Sequence, residues 1–250
     1  MSPLEGLAAP NAPPGPPPRA ARSGAALCHP DAFADLRLAI RELFPGRITL
    51  VSSFGAESAV LLHMAATIDR DLPVTFVDTG RLFPETLAYR DRIVALLGLT
   101  DVRTVGPDAA AMEKLDPYGA MFAIDADACC RLRKVEPLAR ALEPFNAWIT
   151  GRKRYQAATR AALPVFEADA THIKVTPLAP WGLDQVRAYL KAHDLPLHPL
   201  VGRGYPSIGC APCTTPVAEG EDPRAGRWRG SAKIECGIHV TSAGVERRSA

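Results

Sequence analysis

The sequence lacks features that would indicate a membrane, secreted or nucleic-acid-binding protein. No apolar run reaches the roughly 18 residues that a membrane-spanning helix requires. The N-terminus has no basic stretch followed by an apolar stretch, so we expect no secretion signal. Because 29 basic and 27 acidic residues leave a net charge of only +2, nucleic-acid binding has little basis. We therefore expect a cytoplasmic protein that binds neither a membrane nor a nucleic acid.

The composition predicts one folded domain with two appended segments. Residues 1–27 are rich in Pro, Ala and Gly, and we expect them to be disordered. A transit peptide is the alternative, although this segment has little Ser and no amphipathic pattern. We place the folded domain at residues 30–218 and a C-terminal tail at 219–250, and a 47% hydrophobic content is enough for a core.

Apolar runs with strand-like composition alternate with helical patterns, which predicts an α/β fold. Strands are expected at residues 47–52, 74–77, 101–105, 148–150 and 173–175. Helices are expected at residues 31–44, 60–68, 84–97 and 183–193, and from residue 129, with a break or kink at Pro137. Residues 106–128 read as a loop or lid. This alternation favours a parallel sheet with helices on both faces.

Two loops at predicted strand ends could bind an anion. The first, SSFGAES at residues 52–58, carries three hydroxyls and Gly55 before a helix, although an ordinary turn remains possible. It is not a Walker loop, because no Gly-Lys-Ser/Thr follows. The second loop is Asp78-Thr79-Gly80. Ligands of open α/β sheets bind beyond the carboxyl ends of the strands, so both loops are expected to face one crevice.

Basic residues gather in short runs that together suggest a ligand with several negative charges. Each run alone could be a solvated surface, but several fall beside cysteines or at a strand end, where guanidinium groups grip oxyanions well. The runs comprise Arg131, Arg133 and Lys134; Arg152, Lys153, Arg154 and Arg160; and Arg203, Arg224, Arg227 and Lys233.

Four of the six cysteines form two pairs, Cys129-Cys130 and Cys210-x-x-Cys213. In a cytosolic-looking chain, cysteines favour metal or catalytic use over disulfides. Four thiolates suit a 4Fe–4S cluster or a zinc ion. Adjacent cysteines are awkward for tetrahedral zinc, which favours the cluster, and a redox disulfide at the C-x-x-C is the remaining alternative.

Cys236 has no metal-binding partner in its own motif and is a candidate nucleophile. The basic residues Arg224, Arg227 and Lys233 would favour its reactive thiolate form. Gly237 gives the tail freedom to move the sulfur. A free surface cysteine is the alternative interpretation.

Taken together, these motifs resemble one family. SSFGAES, DTGRLFPET, CCRLRKVEPL, ITGRKRYQAATR, GYPSIGCAPCT, GEDPRAGRW and KIECGIH are similar to motifs of the assimilatory adenylyl-sulfate (APS) reductases. These enzymes are relatives of the phosphoadenylyl-sulfate (PAPS) reductases. The resemblance covers about residues 30–240, and its specificity lies in the combination of vicinal cysteines, C-x-x-C and terminal ECG-x-H.

The resemblance implies a fold, a cofactor and a reaction. The fold is of the adenine-nucleotide α-hydrolase type with a modified PP-loop, and the four paired cysteines hold a 4Fe–4S cluster. Cys236 attacks the sulfur of APS, expels AMP and carries an S-sulfo group, from which thioredoxin releases sulfite. Lys134 matches a family lysine between cluster and substrate. No thioredoxin-like domain follows residue 240, so thioredoxin is expected to be a separate protein.

The same resemblance supplies candidate substrate contacts. The nucleotide would lie against Ser52, Ser53, Gly55 and Gly151, and the phosphosulfate against Lys134, Arg154, Arg160, Arg224 and Arg227. Asp78 and Gly80 are further candidates for contact with the substrate. The chain departs from the usual pattern at Phe54, where many relatives have a small residue, and in ending KIECGIH rather than KTECGLH.

Three alternative functions stay open at this stage. A PAPS reductase would use the same chemistry, but its typical members lack the four cluster cysteines. A PP-loop tRNA-thiolating enzyme usually carries S-G-G-x-D-S, where this chain has Phe54. A non-catalytic zinc-binding module is the third.

Overall fold

A computed structural model describes residues 31–169 and 171–238 of the chain. The segment predicted to be disordered, residues 1–27, lies outside this range, as do Cys28, His239 and the rest of the tail, so predictions about them remain predictions. Within the described range, no helix is both long and apolar enough to cross a membrane.

The chain folds into a six-stranded sheet with helices between the strands. The strands are β1 Ile48–Ser52, β2 Val74–Val77, β3 Val102–Val105, β4 Ala147–Ile149, β5 Phe166–Ala168 and β6 Ile173–Val175. The helices are α1 Ala32–Leu38, α2 Ser58–Ile68, α3 Pro84–Leu97, α4 Ala109–Leu115, α5 Met121–Ile124, α6 Ala126–Cys130, α7 Glu136–Leu142 and α8 Leu183–Ala192. The predicted α/β architecture is confirmed.

The strand order is β3-β2-β1-β4-β6-β5, and every neighbouring pair is parallel except β5 with β6. The expected parallel sheet is therefore mostly parallel, with one antiparallel edge strand that the sequence analysis missed. β5 is only three residues long, and its apolar content is too small to distinguish it from a loop.

Alternate residues of the central strands pack against opposite layers of helices. Leu50 and Ile149 point into the larger core, which α1, α2, α3 and α8 complete. Val51 and Trp148 point to the other face, where Leu138 of α7 packs. This period of two is the normal consequence of strand geometry, and it confirms helices on both faces.

Two local predictions need correction. Residues 106–128 are not one loop, because α4, α5 and the start of α6 lie there, each seven residues or shorter. Nor does Pro137 end the helical stretch, since α7 runs on from a π-helical turn over Arg131–Val135. The irregularity expected at the proline takes the form of this π-helical turn.

The order of the strands locates a crevice. β1 lies between β2 and β4, and the chain passes to β2 on one side and later returns to β4 on the other. At such a reversal the connections leave the carboxyl ends of neighbouring strands in opposite directions and open a space for a ligand. The serine-rich loop after β1 and the basic segment after β4 border this space.

Candidate active site

A cavity of about 430 Å³ opens at this crevice. The loop 52–58 lines it on one side, and Thr150 and Gly151 at the end of β4 line it on the other. Apolar side chains of α8, Val186 and Leu190, form part of its wall. Concave sites of this size, with an apolar wall and a few polar groups, are typical of small-molecule binding.

The loop 52–58 is shaped by Phe54, whose side chain is fully buried and meets Phe76 edge-on at 5.5 Å. Its backbone has φ +47°, which is uncommon for a residue other than glycine. The Phe54 amide donates to Ser52 Oγ at 3.1 Å, and Ser58 Oγ donates to the Gly55 carbonyl at 2.8 Å. The Phe54 ring thus fixes the loop to the core, and the neighbouring Ser53 and Gly55 line the cavity.

Glu57 in the same loop is a cavity residue that the sequence analysis missed. Its carboxylate accepts hydrogen bonds from Lys153 Nζ at 2.7 Å, Tyr155 OH at 2.6 Å and Gln156 Nε2 at 3.0 Å. Burial lowers the pKa of Lys153, and Glu57 partly offsets that effect. The network fixes the segment after β4 to the loop after β1. Its partners are 96 to 99 residues apart in sequence, so no local pattern could reveal it.

Most of the predicted substrate-binding residues line this one cavity. They are Ser52, Ser53, Gly55, Lys134, Gly151, Arg160, Arg224 and Arg227, together with the candidate nucleophile Cys236. Residues from positions 52 to 236 therefore converge on one space, although four separate stretches of sequence carry them. This convergence is what an enzyme acting on an anionic nucleotide derivative requires.

Three predicted substrate-binding residues do not line the cavity. Asp78 accepts a hydrogen bond from the Gly80 amide at 2.8 Å and so closes a tight turn after β2. The exposed Arg154 donates from Nε to the Leu163 carbonyl at 3.0 Å. Its neighbours Arg152 and Lys153 line the cavity instead. The basic run after β4 predicts a cation at this strand end, but the sequence does not show which member of the run points into the cavity.

The four paired cysteines line a second, smaller cavity beside the first. Cys129 and Cys130 close α6, whereas Cys210 and Cys213 flank the short turn Ala211–Cys213. All four are free thiols, and Thr79 Oγ1 lies 3.3 Å from Cys210 Sγ. Burial raises the pKa of Cys129 and Cys213, and raises that of Cys130 to about 11. Burial therefore disfavours the thiolate form of Cys129, Cys130 and Cys213, and a bound metal centre would favour it.

Lys134 lines both cavities. It lies in the π-helical turn that follows α6, and it is buried. Burial opposes its positive charge, yet the nearby Cys210 and Cys236 outweigh that effect and raise its pKa. A cation fixed between the cysteines and the anion-binding wall is therefore built into this part of the fold.

The first part of the tail is tied to the C-x-x-C turn by backbone contacts. Thr214 and Arg227 form an antiparallel bridge, and the Trp228 amide donates to the Cys213 carbonyl at 3.0 Å. The backbones come so close at Gly226 that a Cβ there would lie 2.0 Å from the Thr215 carbonyl oxygen. Arg227 is thereby fixed relative to the cysteines.

The end of the described tail returns to the cavity and carries Cys236 into its wall. No backbone hydrogen bond joins residues 232–238 to another backbone group of the described chain. Side chains hold this segment instead. Glu235 pairs with Arg160 at 2.7 Å and with Arg224 at 3.2 Å, and Lys233 pairs with Asp127 beside the vicinal cysteines.

Comparison with known proteins assigns this site to a family. The family model described as "Phosphoadenosine phosphosulfate reductase domain" matches residues 47–216. This range includes the residues that line the two cavities, except those of the tail. The chain belongs to the phosphoadenosine phosphosulfate reductase family. Within it, the chain is 58% identical over 205 residues to an adenosine 5'-phosphosulfate reductase of Mesorhizobium japonicum, covering 82% of this chain and 81% of that protein.

Another member of this family carries a different substrate in its name. A phosphoadenosine 5'-phosphosulfate reductase of Gloeobacter violaceus is 45% identical over 202 residues, which cover 79% of this chain and 84% of that protein. Among solved structures, a PAPS reductase from Candida auris in a phosphate complex matches with a TM-score of 0.67 and 28% identity, over 78% of this chain and 95% of that one. These relatives confirm the fold that the sequence motifs imply.

Proposed function

We propose that this protein reduces APS to sulfite and AMP in assimilatory sulfate reduction, with thioredoxin as a separate reductant and the cytoplasm as its location. The observation that carries the proposal is the convergence of Cys236, the loop 52–58 and a group of cations on one cavity. The name of the Mesorhizobium relative supports APS as the substrate.

In the first step, the Cys236 thiolate attacks the sulfur of the phosphosulfate. A bond forms between Sγ and the sulfur of the SO₃ group, while the bond from that sulfur to the bridging oxygen breaks. The electron pair leaves with AMP, so Cys236 retains an S-sulfo group. Because AMP is a good leaving group, the protein's main tasks are positioning the thiolate and neutralising charge, for which Lys134 and Arg227 are placed.

In the second step, a thioredoxin thiolate attacks Cys236 Sγ and sulfite leaves with the electron pair. The second thiol of thioredoxin then opens the mixed disulfide and restores Cys236. Overall, thioredoxin loses two electrons and two protons and becomes a disulfide, and the sulfur of APS is reduced to sulfite. Cys236 is half-buried, and its segment is held by side-chain contacts. Both features support a role in which Cys236 reacts first with the substrate and then with thioredoxin.

Cys129, Cys130, Cys210 and Cys213 would hold a 4Fe–4S cluster. Among the described residues, no group of three or more Cys, His, Asp or Glu side chains is placed to hold a single metal ion. A cluster does not require such convergence, because its cysteines bind different iron atoms. When bound, the cluster would tie the base of the tail to α6 and place fixed charge beside Lys134, without passing electrons to the substrate.

A PAPS reductase is the second candidate, favoured by the name of the Gloeobacter relative at 45% identity. Both reactions use the same chemistry and differ only in the 3'-phosphate of the substrate. Measuring thioredoxin-dependent sulfite release from each nucleotide separates them. We expect a higher kcat/KM with APS, and a clear preference for PAPS would overturn the substrate assignment.

A further inference from the structure

The residue before the candidate nucleophile already contacts two arginines of the anion site. Arg160 donates to Glu235 Oε1 from Nε and to Oε2 from Nη2, both at 2.9 Å. Arg224 Nη2 donates to Glu235 Oε2 at 3.2 Å and to the Ile234 carbonyl at 2.8 Å. A carboxylate thus lies where two guanidinium groups of the cavity wall meet.

This contact is well protected from solvent. The side chains of Arg160, Arg224 and Glu235 are only 10%, 17% and 19% exposed. A bidentate pair with such burial is stronger and less screened than a surface ion pair. By contrast, Asp127, which pairs with Lys233 three residues before Cys236, is 79% exposed. The contacts of Glu235 are therefore the better protected of the ion pairs in this part of the tail.

We propose that Glu235 is an internal anion that seats Cys236 in the cavity and must yield Arg160 and Arg224 to the anionic group of the substrate. This inference rests on the proposed function for the identity of that group, the phosphosulfate. Glu235 is a positioning residue rather than a catalytic one. A ligand that needs the two arginines then binds with an affinity reduced by the fraction of molecules in which Glu235 holds them.

Two measurements on Glu235→Gln test the proposal without any turnover. The first is the rate at which iodoacetamide alkylates Cys236 in the ligand-free holoprotein, read by peptide mass spectrometry. We expect a rise of about tenfold, because the neutral amide loses the charge-assisted bidentate contact. The second is the dissociation constant of ADP, which carries a second phosphate in place of the sulfate. We expect Glu235→Gln to bind ADP several-fold more tightly.

Glu221→Gln is the matched control, because Glu221 also pairs bidentately with an arginine, Arg229, but neither residue lines the cavity. It should change neither quantity. Unchanged alkylation in Glu235→Gln would overturn the seating role, and ADP binding that is unchanged or weaker would overturn the competition. A purely structural role for Glu235 would not tighten ADP binding. If APS yields no sulfite, the proposed function fails, while the alkylation result still decides the seating role.

Discussion

The two cysteine-bearing parts of the C-terminal region are held in opposite ways. Around Cys210 and Cys213, backbone bridges to Leu82 and Arg227 fix the chain, so the sulfurs sit on a rigid turn. Around Cys236, side-chain contacts hold the described part of the segment, residues 232–238, chiefly the ion pairs of Glu235. The backbone bridges are part of the fold, whereas an arginine that pairs with Glu235 can pair with another anion instead. A bound cofactor requires rigidly held ligands, and a nucleophile that meets two partners in turn requires a segment that can be released.

Cys236→Ser tests the segment that is held by side chains, and this substitution should have the largest effect. Without the thiolate no S-sulfo group can form, so we expect sulfite release from APS to fall by at least about a thousandfold. Iron content and cluster absorption should stay at the wild-type level. Cys28→Ser, which changes the one cysteine outside all motifs, is the control and should retain turnover. Full turnover in Cys236→Ser would refute the nucleophile assignment.

Cys210→Ser tests the rigid side. Removing one of four ligands should abolish stable cluster binding, and much of the stability should be lost with it, because metal binding is coupled to folding. Anaerobic iron and sulfide analysis together with the melting temperature would measure both effects. A variant with full iron content would contradict the ligand assignment.

Gly226→Ala tests whether the backbone bridges around Cys210 and Cys213 stabilise the fold, because it disturbs the bridges and changes no cysteine. The added Cβ would lie 2.0 Å from the Thr215 carbonyl oxygen, so the strand-like pair must separate. We expect a loss of about 3 kcal/mol in the free energy of unfolding, as for overpacked sites. Gly202→Ala is the control, since nothing lies within 4 Å of its added Cβ. Equal stability of the two variants would show that the bridges do not stabilise the turn that carries Cys210 and Cys213.

Acid should destabilise the fold through the buried His198, which is only 1% exposed and contacts Thr86 Oγ1 at 3.1 Å. Burial lowers its pKa from 6.5 to about 4, with Glu85 opposing the shift. The unfolded chain therefore takes up the proton first, and stability is lost as the pH falls from about 6.5 towards 4. Linkage gives a loss of about 2 kcal/mol between pH 7 and pH 5.

Chemical denaturation of wild type and His198→Gln at both pH values would measure this loss. The variant should show a smaller difference between the two pH values, because glutamine does not titrate. An equal difference in both proteins would assign the acid sensitivity to other groups.

Much of the fold could be predicted from local pattern, and what failed depended on distant contacts. β2 lies where its apolar run predicts, and α3 begins at Pro84 as expected, because burial and helix starts have local signatures. The short helices of residues 109–130 were missed because each is too brief to show a period. The π-helical turn before Pro137 was missed because five residues are too few to show a period that differs from that of an α-helix.

The site was predictable where motifs carry chemistry and unpredictable where geometry selects among similar residues. Cysteine spacing identified the thiols that share the smaller cavity. It could not show that Arg154 turns away while Arg152 turns inward. Likewise, Glu57 and Glu235 look like ordinary acidic residues until the fold brings Lys153 to the first from 96 residues away and Arg160 to the second from 75 residues away.

The nucleophile assignment is tested most directly by incubating the holoprotein with APS and no reductant, digesting it and analysing the peptides by mass spectrometry. We expect an added mass of about 80 Da on the peptide containing Cys236, the S-sulfo group of a covalent intermediate, which thioredoxin then removes. No adduct on wild type, or the same adduct on another residue in Cys236→Ser, would contradict the assignment.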